Sequence, residues 1–291
     1  MRHFQFLSAR SVEEALGILA DKGEACRVLA GGTDLLVDLR EEDGRWPGLR
    51  WVLDISGLEE LKGIRLDGDT VRLGALVTHA QVASHPVLAQ EVGFLAEACR
   101  SVGSPQIRNR GTVAGNVVNS SPAADSLPPL VALQAEVELA SLRGRRTVPL
   151  AQMLDRPYRP LLGPDELVTA IRFPRPPRGS RSCFIKVGRR RALAISRLSV
   201  AVIALDSGVR IVPGAAFPMP ARAQKAEAIL RGLSPDQESA KLGEMVVAAG
   251  QAAAEEMVER AGVRWSTEYK YPVLVGITRR ALERVLGGGQ A

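Results

Sequence analysis

The apolar positions along the chain change period several times, and the changes mark out its organisation. Ser11-Val-Glu-Glu14 has capping-box spacing and opens a helix-period stretch that ends at Gly23, a suitable residue just past a helix C-terminus. CRVLA then reads as a short buried strand leading straight into GGTDLL at 31 to 36, and WVLDIS reads as another. The first fifty-odd residues therefore predict a small β-α-β-type unit. GIRLDGDTVRLGAL at 63 to 76 alternates apolar and polar residues around Asp67-Gly68, the pattern of a tight hairpin. Thr78-His-Ala-Gln81 repeats the capping box, and residues 87 to 101 predict an amphipathic helix ending near Gly103. Strand period returns in EVELAS at 136 to 141, RTVPL at 146 to 150 and LVTAIRF at 167 to 173.

PRPPRGSR at 174 to 181 breaks all periodicity and reads as a linker. Beyond it, SCFIKV and LSVAVIALDSGVRIVPGAA predict three strands, the last two joined across Asp206-Ser-Gly208. The remainder is helical: Arg222 to Arg231 stopped by Gly232, a long segment from 235 to about 261, and a helix that starts at Pro272 and runs to Leu286, before a frayed GGGQA tail. No internal repeat is visible. The expected class is α+β, with a small α/β unit over 1–57, a larger mixed α+β unit over 58–175 and a unit of three antiparallel strands with helices over 179–288.

Two segments fit no core pattern. In LAGGTDLL, residues 29 to 36, glycines follow a strand, and backbone N–H groups there can converge on an anion with the Thr33 hydroxyl as an extra donor. The segment has neither the Lys-Ser/Thr of a P-loop nor the G-x-G-x-x-G spacing, and a simple turn explains a lone Gly-Gly equally well. TVAGNVVNSSPAADSLPPLVAL at 112 to 133 reads as flexible, polar backbone stopped by Pro128-Pro129. Gly115 permits close approach of a ligand; Thr112, Asn116, Ser120 and Ser121 offer neutral hydrogen bonds, and Asp125 an acceptor suited to ribose hydroxyls or an amine. An irregular loop packed on itself is the competing reading. Two such loops in one chain favour a bipartite dinucleotide site.

Composition narrows the field. Of 291 residues, 46% are apolar and 24% charged, the ordinary globular balance. The formal charge of +6 is concentrated in arginines such as GRRRA at 188 to 192 and LRGRRT at 142 to 147. Aromatics are only 4% and do not interleave with these clusters, which argues for solvated loops or an acidic partner and against nucleic acid. Cys26, Cys99 and Cys183 stand far apart with no C-x-x-C pair, and His3, His79 and His85 lack metal-ligand spacing, so no metal site is expected. The N-terminal residues lack the apolar run and cleavage pattern of a secretory signal, and no stretch has the apolar length of a membrane span; a cytoplasmic protein is expected.

QIRNRGTVAGNVVNSSPAADSLPPLVAL, preceded by LAGGTDLL, resembles the FAD-binding medium subunits of molybdenum hydroxylases, the xanthine dehydrogenase and carbon monoxide dehydrogenase family. FIKVGRRRALAISRLSVAV, PGAAFPMPARAQKAEAIL and STEYKYPVLVGITRRAL resemble the family's C-terminal domain, so the likeness covers nearly the whole chain. It implies a two-part FAD-binding domain of the PCMH/vanillyl-alcohol-oxidase type followed by a smaller C-terminal domain. It implies that Leu29, Ala30, Gly31, Gly32, Thr33, Asp34, Leu35 and Leu36 wrap the diphosphate and flavin edge, with Thr112, Gly115 and Asn116 on the other side. Asp125 would face the adenosine end, Val168 would form an apolar wall, and Lys186 would lie near the flavin, where a cation favours the reduced, anionic form. The chain departs from the family at Ala114, often a glycine, and at Ala194, often an acidic residue. The implied role is electron transfer from a partner iron–sulfur small subunit, fed by a molybdopterin large subunit, through FAD to NAD+ or another acceptor. No residue is assigned as a catalytic base or nucleophile. A self-contained FAD-dependent oxidoreductase of related fold and a non-redox nucleotide-binding module are the alternatives.

Overall fold

The structure, a computed structural model, describes residues 3–40, 45–190, 193–231 and 239–287. The N-terminal unit opens with strand β1 (Gln5–Ser8), helix α1 (Val12–Lys22) and strand β2 (Cys26–Leu29). A one-turn helix α2 (Leu35–Asp38) and strand β3 (Trp51–Asp54) complete it. The three strands pair in parallel in the order β1-β3-β2. Ser11 caps α1 by accepting from the Glu14 amide, as its spacing predicts, and Gly23 ends it with φ of 52°. The apolar face formed by Ala15, Leu16 and Leu19 turns inward, since these positions share one side of a 3.6-residue period.

The central unit is a five-stranded antiparallel sheet with short helices. Its strands are β4 (Ile64–Asp67), β5 (Thr70–Gly74), β6 (Glu136–Ser141), β7 (Gly144–Pro149) and β8 (Leu167–Pro174), in the order β4-β5-β8-β6-β7. Between β5 and β6 run α3 (His79–Ser84), α4 (Pro86–Glu91), α5 (Gly93–Ser101), α6 (Pro105–Arg110), α7 (Val113–Asn119) and α8 (Leu127–Ala132). The single helix expected over 87–101 is two helices, broken at Val92, whose φ and ψ of −131° and 47° leave the helical region. Helix α9 (Leu150–Met153) follows β7.

Beyond residues 175–180 the C-terminal unit pairs β9 (Arg181–Val187), β10 (Leu198–Leu205) and β11 (Gly208–Gly214) antiparallel, in the order β11-β10-β9. Helices α10 (Gln224–Ile229), α11 (Ser239–Ala261) and α12 (Thr267–Leu286) cover it. Pro272 does not start α12; it lies inside it. Its missing N–H forfeits one i→i−4 bond in the second turn. The expected stop at Gly232 and the GGGQA tail beyond Gly287 lie outside the described residues.

One hydrophobic cluster joins the first two units and reaches into the third. It holds Leu19 of α1, Phe94 of α5, Leu130 of α8 and Phe173 of β8 together with Phe184, Ile203 and Val212 of the C-terminal sheet. A second cluster fills the space between that sheet and α11 and α12.

Candidate functional site

The carboxyl end of β2 runs into a bend at Ala30–Asp34 before α2 begins. Gly32 takes φ of +76°, the left-handed region that a side chain resists, and its carbonyl accepts from the Leu36 amide at 3.2 Å. Gly31 is needed for a different reason. A Cβ there would stand 2.1 Å from the Arg110 carbonyl oxygen and 2.9 Å from Gly111 Cα, so this bend lies backbone to backbone against the segment that leads into α7. The N–H groups of Gly31, Gly32, Thr33 and Asp34 donate to no other described residue. Consecutive unspent amides on a bend of this kind form a concave donor surface for an anion.

The segment 112–133, expected to be irregular and flexible, is instead mostly two helices. Thr112 caps α7, its Oγ1 accepting from the Gly115 amide at 2.9 Å, and Ser104 caps α6 in the same way. Ser120 ends α7 in the left-handed conformation with φ of 48°, fully buried, its hydroxyl donating to the Val117 carbonyl at 2.8 Å. Pro128 and Pro129 do not terminate a loop; they occupy the first turn of α8, where a missing N–H costs nothing, and every residue of Leu127–Ala132 is buried. The sequence misleads here because both helices are under eight residues, too short to display a 3.6-residue stripe, and α8 is apolar all round.

Several of the predicted residues are linked by direct contacts, and three of them, Thr112, Asp125 and Val168, are buried. The Asn116 side-chain oxygen accepts from Ser126 at 2.7 Å, the next residue after Asp125. Asp125 is buried, one oxygen accepting from Lys186 Nζ at 2.6 Å and the other from the Ser196 hydroxyl. Lys186 also donates to the Ser101 carbonyl at 2.9 Å. Asp125 and Lys186, expected at opposite ends of the ligand, are therefore partners in a buried ion pair that ties the central unit to β9. Burial raises the Asp125 carboxyl above its ordinary range, against the attraction of Lys186 and the bonds from Lys186, Ser196 and Ser101. Pairing also cancels most of the field that a lone ammonium would present. Helix α7 packs on β8, where Val168 is buried opposite Leu139. Leu29 and Leu36 flank Gly32, with Leu36 38% exposed; Ala30 and Leu35 are half-buried beside them.

His79, dismissed in the sequence for lack of metal-ligand spacing, lies at the junction of the two segments. Its amide donates to the Gly111 carbonyl at 3.0 Å, and its ring is buried with Nδ1 unpartnered. A Cβ on Gly111 would stand 3.3 Å from Thr33 Oγ1 and 3.4 Å from the His79 ring. Burial, helped by Arg108, lowers its pKa to about 4, so the ring is neutral at pH 7. Among the described residues no group of His, Cys, Asp or Glu could hold a metal ion. All three cysteines are free and buried, with thiols raised by burial and hence unreactive.

A cleft of about 350 Å³ opens beside Ser196, between Ser121 and Tyr158 on one side and Phe217, Arg264 and Lys270 on the other. Lys270 Nζ donates to the Ala215 carbonyl; burial first, then Arg264 and Arg197, lowers its pKa. Neither Lys270 nor Arg264 has a carboxylate partner among the described residues, so the cleft wall is cationic.

The parallel three-stranded unit, the five-stranded sheet and the C-terminal sheet with its helices make this an α+β protein, with the Gly31–Asp34 bend set against the segment leading into α7. Residues 2–176 match the family described as "FAD binding domain in molybdopterin dehydrogenase". The chain is 39% identical over 215 residues to a nicotinate dehydrogenase FAD-subunit of Eubacterium barkeri, covering 72% of each. It is 30% identical over 293 residues to a xanthine dehydrogenase FAD-binding subunit of Escherichia coli O157:H7, covering 97% of each. Its fold superposes on a carbon monoxide dehydrogenase chain from Hydrogenophaga pseudoflava with a TM-score of 0.86 at 29% identity, covering 98% of each chain. The chain belongs to this family: it is the FAD-binding oxidoreductase subunit of a molybdenum hydroxylase. The residues present fit such a group, because the Gly31–Asp34 amides are unspent and a Cβ on Gly115 would meet only Thr112 Oγ1, leaving that face open to a ligand.

Proposed function

We propose that this chain receives electrons one at a time from an iron–sulfur small subunit, itself fed by a molybdopterin large subunit, and passes them through FAD to NAD+ or another acceptor. FAD supplies both one-electron and two-electron redox chemistry when bound. The chain's own residues hold and screen it. The unspent amides of Gly31–Asp34, within the Leu29–Leu36 segment, grip the diphosphate; the face of α7 with Thr112, Gly115 and Asn116 closes against it, and Val168 and the paired Asp125 and Lys186 back the site. The observation that carries the reading is the backbone-to-backbone contact of Gly31 with Arg110 and Gly111, which brings the bend with its unspent amides side by side with the segment leading into α7. The units spanning 1–57, 58–175 and 179–288 divide the work: the first two bind the dinucleotide and the third closes one side.

The cationic cleft beside Ser196 supports a phosphate-bearing acceptor such as NAD+. Anionic groups gain from Arg264 and Lys270 in a partly desolvated wall. We place the assembly in the cytoplasm; among the described residues no helix is long and apolar enough to cross a membrane. The test is anaerobic addition of NADH to the purified chain. Bleaching of the flavin absorbance supports NAD+ as the acceptor; a flavin that stays oxidised with NADH but accepts electrons from a reduced iron–sulfur partner replaces NAD+ with another acceptor. A colourless protein after expression with riboflavin excess overturns the flavin reading and leaves a non-redox nucleotide-binding module.

A further inference from the structure

Polar side chains beyond the predicted site tie its Asp34 to the end of α7. Asn119, the last residue of α7, donates from Nδ2 to Asp34 Oδ1 at 2.7 Å, and its Oδ1 accepts from Arg45 at 2.9 Å. Each end of the amide thus has one chemically correct partner, a carboxylate for the NH2 and a guanidinium for the oxygen, which fixes its orientation. Arg45 is itself anchored on Asp38 of α2, with Nε 2.9 Å from Oδ2 and Nη2 bonded to the same oxygen. Its guanidinium also lies 4.7 Å from the Tyr158 ring centre and 5.7 Å from that of Trp46. Tyr158 is held in turn by its amide, which donates to the Ser120 carbonyl at 2.9 Å, and by a left-handed backbone with φ of 59°. Thr33 Oγ1 donates to the other Asp34 oxygen at 3.2 Å.

We propose that Arg45 and Asn119 are positioning residues for the flavin nucleotide: through Asp34, Asp38 and Tyr158 they fasten the Gly31–Asp34 bend to the end of α7 and set the spacing between the two gripping segments before the ligand arrives. The inference rests on the FAD reading of those segments. Its physical content is preorganisation. A ligand held by two separate bends must otherwise immobilise one against the other, and that ordering is subtracted from affinity. The Gly31 contact with Arg110 fixes one side of the bend; the Arg45–Asn119 bridge fixes the other, so the bend cannot pivot about the single contact.

The experiment uses the full-length chain stripped of flavin and titrated with FAD, read by quenching of flavin fluorescence, and the visible circular dichroism of the bound flavin at saturation. Asn119→Leu and Arg45→Gln are each expected to weaken FAD binding at least tenfold and to alter the flavin dichroism. The double variant is expected to lose no more than the worse single one, because the two residues act as one bridge. Arg45→Lys keeps a charge for Asp38 without the planar fork and is expected to fall between Arg45→Gln and the parent. Lys225→Ala, which removes an exposed ion pair with Glu259, is the control and leaves affinity unchanged. Affinity within twofold of the parent and an unaltered dichroism in both single variants overturn the proposal while leaving the FAD reading intact. Additive losses, or losses that track a lowered melting temperature with dichroism unchanged, overturn it in favour of a purely structural role. Failure of the parent chain itself to bind FAD overturns both. Arg45→Lys, the mildest change, keeps the question open to measurement if Asn119→Leu does not fold.

Discussion

Single side chains in this protein carry more than one duty, and the buried ones show it most clearly. Lys186 and Asp125 are 15% and 7% exposed, so each depends on the other to remain charged away from water. Asp125→Ala strands an ammonium and is expected to cost about 3–5 kcal/mol, whereas Asp125→Leu combined with Lys186→Met regains most of it. Urea denaturation midpoints of the three chains check this, and a double variant no better than Asp125→Ala would show the ion pair to be irreplaceable. His79 gives a pH signature of definite sign. Its folded pKa of about 4 lies below the ordinary 6.5, so the unfolded chain takes up the proton first. Its contribution is whole above about pH 6.5, declines as pH falls and is gone near pH 4, a loss of roughly 3 kcal/mol over that interval. His79→Gln is expected to flatten that part of the stability-against-pH curve; an unchanged slope would assign it to other groups. None of this was legible in the sequence. Asp125 was a candidate from residue type and Lys186 from the family resemblance, while His79 was set aside; the pairing of Asp125 with Lys186 spans 61 residues, and no local pattern reports it.

Among the elements, the sequence was most informative where periods were long and turn residues unambiguous. The hairpin of β4 and β5 turns at Asp67-Gly68 with Gly68 at φ of 58°, and both capping boxes proposed from spacing begin helices. Strand β1 went unseen because its four residues are mostly exposed, Phe6 at 57%, and so show no alternation. The glycines illustrate a subtler limit. A Gly-Gly pair announces a bend, yet it does not distinguish the glycine required by dihedral angle from the one required by contact. The structure separates them: Gly32 has the positive φ, Gly31 the close carbonyl. Gly31→Ala is accordingly expected to force the two gripping segments apart, lowering both melting temperature and FAD content. Gly57→Ala, where a Cβ meets nothing within 4 Å, is expected to change stability by less than about 0.5 kcal/mol. Equal effects of the two substitutions would remove the Gly31 contact from the account.

For the whole molecule, three sheets share their packing instead of standing as separate bodies. Helix α8 lies against β10 and β11, Arg210 of β11 donates to the Ala132 carbonyl at 2.8 Å, and Phe184 and Ile203 belong to the same cluster as Phe94 and Phe173. Calorimetric unfolding of the chain is expected to give one transition, and a chain ending at residue 176 is expected to expose apolar surface and aggregate. Two well-separated transitions, or a soluble monomeric fragment, would contradict the shared core.

The stretch between β8 and β9 reads as proline-rich linker, yet it is pinned. Arg175 donates through its amide to the Asp69 carbonyl at 2.8 Å, through Nη1 to the Gly68 carbonyl at 3.0 Å and through Nε to Glu91 at 2.8 Å. A nick by trypsin at Arg178 would leave both pieces travelling together on a sizing column, because the Asp125–Lys186 pair, the Arg210 bond to Ala132 and the shared cluster around Phe184 and Ile203 all cross the cut. The joint between the central and C-terminal units is thus held by side-chain packing and a buried ion pair, and not by the backbone connection alone.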